Sequence, residues 1–579
     1  MKKKIMPVLI VLILIFVILI FLFAGRKLKQ YLPSKEQQDL NQYFQVAADH
    51  EIAIELNRTL IEEKALLKEK EIYLDYDFVH DQLNDRFYWD TNENVLLYTT
   101  SENVIKASAD SSDYYIGRKK KSKDYTIVLV DADQIYVALD YVAEYTNLTF
   151  ESFTDPGRVL LQTKWGDITK IAVKKDTQLR IEDNIKSNIL CELEKGETVI
   201  KLEAADDWTK AATKDGLVGY VRNKHLGEET QETEKHEFQE DTFQHQIRDF
   251  AINMVWHQVT NAEANNTIAS VLQNTKGINV ISPTWFYVND NDGNIANLAS
   301  ADYVKYCHDN GIEVWGLVSN LENSEVNSTE ILTRTSKREN LENQIIAAAI
   351  QYDLDGINVD FEALETEVGE GFIQFIRELS LKCDSNDIVL SVDNYVSSDY
   401  TRFYDRQEQA VFADYVVVMA YDEHYSGSKE SGSVASIGFV TKGADDIVAE
   451  GVPAEQVILG MPFFTRVWAE TPKDGNGDDV ESASDAYVPY ELTSEAVGMQ
   501  SAQRLIEVNG AEKSWLSDQG QFYTEYMNGN VTYKIWIEDV ASIEEKLKVM
   551  DAHGFAGASF WKLGLEDSTV WDTIIKYIH

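Results

Sequence analysis

Residues 355–362 read Asp-Gly-Ile-Asn-Val-Asp-Phe-Glu, and few folds can accommodate such a run. Side chains alternate faces along a strand, so Ile357, Val359 and Phe361 share one face. Asn358, Asp360 and Glu362 share the other, behind Gly356. Taken alone, that alternation suggests a strand with one side in water. The flanks argue otherwise, because Asn340 to Tyr352 carries Leu341, Ile345, Ile346 and Ala349 at helical spacing. Helix followed by strand is the α/β rhythm, in which strands are buried on both faces. A polar row ending in two carboxylates inside such a sheet is costly unless chemistry retains it.

The stretch resembles the signature of family-18 glycoside hydrolases, the chitinase-like enzymes, which is Asp-x-x-Asp-x-Asp-x-Glu on the fourth strand of a TIM barrel. Asp355, Asp360 and Glu362 match it, and Asn358 stands where the family has a second Asp. The downstream sequence supplies the rest of an α/β fold. Strands are expected at Asn253–Val259, Val280–Thr284, Glu313–Val318, Gly356–Glu362, Ile388–Asp393, Tyr415–Tyr421, Val457–Pro462 and Gly557–Trp561, with helices between them. Eight such strands close a (β/α)8 barrel. The segment 469–531 is too long for a barrel loop. It carries its own helix (Ser494 to Glu507) and an Asn528-Gly529 turn, so it reads as an inserted α+β subdomain.

In such barrels the active site lies at the C-terminal ends of the strands, where this reading puts Glu362, with Asp360 one inward position deeper. Residues two apart on a strand are about 7 Å apart on the same side. They cannot easily flank a sugar as an ordinary acid and nucleophile do. The resemblance implies how the gap is filled: the substrate's 2-acetamido carbonyl attacks, forming an oxazolinium ion with retention. It implies Glu362 as general acid and then base, and Asp360 as the group that orients the acetamido and stabilises positive charge. Met419-Ala420-Tyr421-Asp422 matches the family's Met-x-Tyr-Asp, where the Tyr bonds the acetamido oxygen and the Asp contacts the sugar. Trp561 matches the aromatic floor of the site, and Arg466 falls in a segment similar to the family's seventh strand. For Tyr421 and Trp561 the plain alternative is a core aromatic, and for Arg466 a surface ion pair. Asn358, being neutral, is expected to donate its amide hydrogen bond to an ionised Asp360.

Upstream, an uncharged apolar run from Ile5 to Gly25 is flanked by Lys2–Lys4 and by Arg26, Lys27 and Lys29. It approaches the ~20 residues of a membrane span. Residues 1–30 therefore read as an uncleaved signal anchor, single-pass, with the catalytic domain extracellular. Residues 31–71, polar and rich in helix formers, suit a helical stalk. Between 72 and 168 a weak repeat follows: Ile72-Tyr73-Leu74, Val79, Phe87 and Leu96-Leu97 recur as Ile135-Tyr136-Val137, Val142, Phe150 and Leu160-Leu161. Each copy reads as strand, short helix, strand, turn, strand. It is similar to the module at the N-terminus of copper-amine-oxidase-like surface proteins, and implies no copper because His80 is its lone histidine. Residues 169–228 resemble a bacterial SH3-type domain, on Leu179-Arg180, Leu193-x-x-Gly196, Trp208 and Asp215-Gly216-x-x-Gly219-Tyr220-Val221. Such domains contact cell-wall peptide or glycan, and the alternative is a small β-barrel whose Trp208 is core. Residues 229–243 read as an acidic linker, and 244–579 as the catalytic barrel.

The 97 Asp and Glu against 53 Lys and Arg give a formal charge of -44. That balance argues against nucleic-acid binding, which wants a basic face. Cys191, Cys307 and Cys383 have no metal or disulfide spacing and are expected in the core. The Asp-rich loops 289–294 and 474–478 lack the downstream Glu of a calcium loop and read as turns, so no metal and no cofactor is expected. The expected substrate is a β-linked N-acetylglucosamine glycan. Asn358, the SH3-type module and Ser282-Pro283-Thr284-Trp285 look more like bacterial cell-wall and spore-cortex members of the family, which points to peptidoglycan. Chitin is the alternative substrate. A non-catalytic lectin is the alternative of another class, though such proteins typically lack the acid that Glu362 supplies.

Overall fold

The computed structural model describes residues 9–21, 31–472 and 490–578. They form two compact units: those up to Trp89 with Lys106–Glu240, and Asp90–Ile105 with those from Asp241 on. The second unit is an eight-stranded parallel barrel. Its strands are β1 (Ile252–His257), β2 (Val280–Val288), β3 (Glu313–Ser319), β4 (Gly356–Asp360), β5 (Val389–Tyr395), β6 (Tyr415–Met419), β7 (Val457–Pro462) and β8 (Gly557–Trp561). Each pairs in parallel with the next, and β8 pairs with β1, so the sheet closes on itself.

Closure explains the alternation in the sequence. Ile357 and Val359 join the large apolar cluster shared with the surrounding helices, as do Leu390, Val392, Val416 and Val418. The other parity faces the lumen, where Ile252, Met254, Trp256, Trp315, Leu317, Tyr415 and Val417 pack on one another. Asn358 and Asp360 have this inward parity, so both faces of β4 are enclosed. Glycine is required where the lumen is tightest. A Cβ on Gly356 would lie 2.6 Å from the Trp315 ring, and one on Gly557 would lie 2.0 Å from the Ile252 carbonyl oxygen.

The insertion is wider than 469–531. Phe464–Pro472 pairs antiparallel with Tyr490–Gly498 and with Val531–Ile537, in a five-stranded sheet completed by Gln521–Asn528 and Ser514–Leu516. The expected helix therefore starts only at Met499 and runs to Asn509, because the residues before it are engaged by a nine-residue ladder. The Asn528-Gly529 turn is present, with Gly529 at φ +64°.

The first unit holds two seven-stranded sheets. One contains the repeat as strand–helix pairs, Glu71–Asp75 with the turns 76–83 and Gln134–Ala138 with Leu139–Tyr145, whose strands pair antiparallel. The same sheet absorbs the expected helical stalk. Glu51–Leu56 and Thr59–Lys68 form a hairpin, with Asn57 and Arg58 both in the left-handed region. Ile52 and Ile54, with Ala53 and Ala65, are buried there, so burial overrides the helix preference of the Glu-, Lys- and Leu-rich run. The expected acidic linker is also partly strand. Leu226–Glu234 pairs along Gly166–Val173 at the edge of the second, antiparallel sheet, its side chains almost all exposed. A strand that leaves its side chains in water needs only a backbone partner. Trp208 of that sheet is buried under Arg222. Cys307 and Cys383 are buried, whereas Cys191 is only partly so.

Residues 9–21 are helical, and the remainder of the expected anchor lies outside the described residues. Among the described residues no helix is long and apolar enough to cross a membrane. The Asp290 loop is a turn, with its carboxylate accepting the backbone N–H of Asp292 (3.0 Å) and Asn294 (3.2 Å). The loop 474–478 lies outside the described residues.

Candidate active site

At the C-terminal end of the barrel the lumen turns polar in a single lattice. Asn358 is fully buried at its centre. Its Oδ1 accepts from the Trp256 indole (2.9 Å) and from Ser282 Oγ (3.0 Å). Its Nδ2 donates to Ser391 Oγ (3.0 Å) and Asp393 Oδ1 (2.8 Å). β1, β2, β4 and β5 are thus joined through one amide. The partner differs from the expected one: the amide reaches across to Asp393 on β5 rather than along its own strand to Asp360. The register sets Asn358 abreast of Ser391, so the amide meets Ser391 directly and reaches the next inward residue of β5, Asp393, on the diagonal.

Asp360 is the last residue of β4, and the pairing of Val359 with Val392 sets it abreast of Asp393. Glu362 lies beyond the strand end, not on it. The turn that carries it is fastened by three side chains. Tyr404 donates to the Phe361 carbonyl (3.0 Å), and Asn320 donates to the Glu362 carbonyl and accepts its N–H, both at 2.9 Å. Tyr395 Oη accepts the Ala363 N–H (3.2 Å) and bonds the Glu362 carboxyl. Ala363 takes a left-handed φ of +51°, which turns the chain out of the sheet there.

Glu322, Asp360, Glu362, Asp393 and Asp422 face one another across this end of the barrel. Burial first, then Asp393, Glu362 and Glu322, holds the Asp360 carboxyl well above the usual range. Burial also raises Glu362, with Asp422 and Glu322 adding to it and the Tyr395 hydrogen bond opposing. Asp393 is pushed up to about 8, chiefly by burial, against the pull of its Asn358 hydrogen bond. One carboxylate oxygen each of Asp360 and Asp393 is buried with no hydrogen-bond partner.

The remaining predicted residues gather round this cluster. Tyr421, two residues past β6, has its hydroxyl proton held tightly by burial and by Asp393, Asp360 and Glu362. Trp561, the last residue of β8, lies 5.9 Å from Trp256 ring to ring, and Trp256 lies 6.4 Å from Tyr421. Met419 ends β6 abreast of Tyr395. Asp422 sits at the rim at φ +58°, with Arg466 as its positive neighbour. Arg466 donates to Ser494 Oγ (3.1 Å) and makes no surface ion pair among the described residues. All eight predicted residues therefore lie at one end of the barrel or its rim. Asp355 does not: it accepts from His308 (2.8 Å) and from the Val314 N–H (2.7 Å), just before β4 begins.

Sequence reasoning missed Asp393, Tyr395, Asn320, Glu322 and Trp256. Ser391, Asp393 and Tyr395 alternate along β5 as Asn358 and Asp360 do along β4, and that parity was the available signal. Asn320 and Glu322 lie in a loop, where no periodicity marks them.

A parallel barrel with carboxylates and aromatics converging at the C-terminal strand ends defines a glycosidase-type site. The chain matches the model of the glycosyl hydrolases family 18 over residues 217–566 and belongs to that family. Residues 54–161 match the copper amine oxidase N-terminal domain. Among its relatives is the uncharacterized glycosylase YvbX of Bacillus subtilis, 24% identical over 350 residues that cover 56% of this chain and 96% of the relative. The cortical fragment-lytic enzyme of the same species is 26% identical over 265 residues, 44% of this chain. The chain spans only 58% of that enzyme's length. The C-terminal domain of a putative chitinase from Desulfitobacterium hafniense has the same fold, with a TM-score of 0.50 and 21% identity over 57% of this chain and 98% of that domain.

Proposed function

We propose that this protein hydrolyses β-linked N-acetylglucosamine glycans, with retention, using the substrate's own acetamido group as nucleophile. One observation carries the reading: the carboxylates come only from the β3–β6 side. The inward positions of β1, β2, β7 and β8 (Ile252, Met254, Trp256; Val280, Ser282, Thr284; Ile458, Gly460, Pro462; Gly557, Ser559, Trp561) carry none. A sugar seated on Trp561 would meet acids on one side and aromatic rings on the other. No described strand supplies a second carboxylate to attack from the opposite face, as a protein nucleophile would require. The acetamido carbonyl fills that role.

Glu362, with its raised carboxyl, is then the general acid and afterwards the base. Asp360 faces the developing positive charge, Tyr421 bonds the acetamido oxygen, and Asp422 with Arg466 holds sugar hydroxyls at the rim. Met419 shapes the pocket. The favoured substrate is peptidoglycan, on the likeness to cortical fragment-lytic enzymes, and the protein then works at the cell surface on its N-terminal anchor, with the SH3-type module contacting wall material.

Glu362→Gln keeps the shape of the side chain and removes the transferable proton. Hydrolysis of a soluble N-acetylglucosamine oligomer should fall by about 10²–10⁴-fold while binding persists. A thiazoline analogue of N-acetylglucosamine should bind far tighter than the sugar, as transition-state mimics do. Near-normal turnover by Glu362→Gln, or rapid cleavage of a de-acetylated glycan, contradicts the reading.

A further inference from the structure

The first unit holds a groove of about 810 Å³ between its two seven-stranded sheets. On one wall Glu55 lies abreast of Leu160, and Leu160 abreast of Glu151, so the three share a face of the first sheet. On the opposite wall Lys170, Ile200 and Ala212 lie abreast on the second sheet. Their neighbours Ile171, Val199 and Ala211 have the other parity and belong to that sheet's core. The core therefore makes no use of the face that Lys170, Ile200 and Ala212 present.

Glu55 sets this groove apart. It is 4% exposed, and its Oε2 is buried without a hydrogen-bond partner. Burial raises its carboxyl to about 7, against the pull of Arg58 and Arg158. Neither arginine satisfies it. Arg58 is engaged by the Glu234 carboxylate, and Arg158 by the Asp215 carbonyl (2.8 Å) and carboxylate (3.2 Å). A buried acceptor left open is costly, and this one lines a cavity that a donor can enter. Gly216 keeps the space clear, because a Cβ there would lie 2.9 Å from Glu55 Oε2 and 2.4 Å from Leu160.

The surroundings select the donor. Arg58 pairs with Glu234, and Lys170 with Glu232 (2.7 Å), which leaves Glu55 and Glu151 balanced by Lys214 and Lys235. A groove without net charge, in a chain of formal charge -44, fits a neutral ligand better than an ion. Hydroxyl groups can donate to the acids and accept from the lysines, while Leu160, Ile200 and Ala212 meet the apolar face of a ring. We infer that this groove is a glycan-binding site of the first unit, in which hydroxyls of one sugar residue donate to the buried Glu55 carboxylate. A polymer held here stays at raised effective concentration for the catalytic unit of the same chain. The choice of probe, though not the site itself, rests on the glycan-hydrolase reading.

The charged and titratable groups near Glu55 are Tyr43 from the helix Leu40–Phe44, Arg58 from the adjoining turn, Arg158 and Glu151 from the neighbouring strands, and Asp215 beside Gly216. Two hydroxyls can both donate only to an ionised carboxylate, so sugar binding is linked to loss of the Glu55 proton.

The test titrates an N-acetylglucosamine hexamer by calorimetry into the full chain carrying Glu362→Gln, which binds without cutting. Two sites are expected, one in the barrel and one in the groove. Adding Glu55→Gln should weaken the groove site about tenfold or more, and adding Ile200→Trp, which fills the groove from the opposite wall, should abolish it. With Glu55 intact, groove affinity should rise by up to about tenfold from pH 6 to pH 8, and Glu55→Gln should remove that rise. Binding that neither substitution alters, or groove affinity that ignores pH, overturns the inference. So does a groove that takes a sugar-free wall peptide in a Glu55-dependent way and leaves the hexamer unbound. Should Glu55→Gln fail to fold, Ile200→Trp and the pH series decide alone. A groove site without a barrel site keeps the inference and sinks the glycosidase reading, and a barrel site without a groove site does the reverse.

Discussion

Replacing Asp393 by Asn should stabilise the barrel at neutral pH. The carboxyl is 2% exposed and its affinity for protons is raised to about 8, against 3.8 for an ordinary aspartate. The folded state thus binds a proton that the unfolded chain releases above pH 4. A raised carboxyl favours folding most at low pH, and that advantage is lost as pH climbs from 3.8 towards 8. Each unit is worth ~1.4 kcal/mol, so about four units set a ceiling on the order of 5 kcal/mol above pH 8. Asp360 takes up part of the freed proton affinity, which brings the expected gain to roughly 2–4 kcal/mol at pH 8. For a domain of this size that is several degrees in Tm, at about 2 °C per kcal/mol. Thermal unfolding of wild type and Asp393→Asn should coincide at pH 4 and diverge steadily to pH 8, the variant melting higher. A variant that melts lower at pH 8 would refute the reasoning. The stability given up by the native residue would be the cost of a poised site.

Two further outcomes follow from particular contacts. Asn320→Ala removes the two hydrogen bonds that fasten the Glu362 backbone, worth ~1 kcal/mol each. Steady-state kinetics should show kcat down roughly tenfold or more with KM little changed. Lys546→Met strands the buried Glu538 carboxylate, whose two oxygens lie 2.9 Å from Lys546 Nζ, and should cost about 3–5 kcal/mol in a denaturant melt. Adding Glu538→Gln should recover part of that loss.

The barrel could be read from the sequence because its strands announce themselves twice: by alternation where one parity meets helices, and by helical spacing between them. All eight were found, with some ends displaced by up to four residues: β2 runs on to Val288 and β4 stops at Asp360, short of Glu362. The polar lattice was half legible. Asn358 stood out by its position, but its partner did not, because contacts between adjacent strands depend on register, which a single sequence does not display. The stalk and the linker failed for one reason: 51–68 and 226–234 pair as strands through their backbones, and that pairing leaves little mark in composition.

The most direct test of the account is a digest of purified peptidoglycan and, in parallel, of chitin oligosaccharide, with product masses and reducing ends determined for wild type and Glu362→Gln. The account predicts soluble products from peptidoglycan whose new reducing ends are N-acetylglucosamine, none of them formed by the variant. New ends that are all N-acetylmuramic acid, or equal release by wild type and Glu362→Gln, would contradict it.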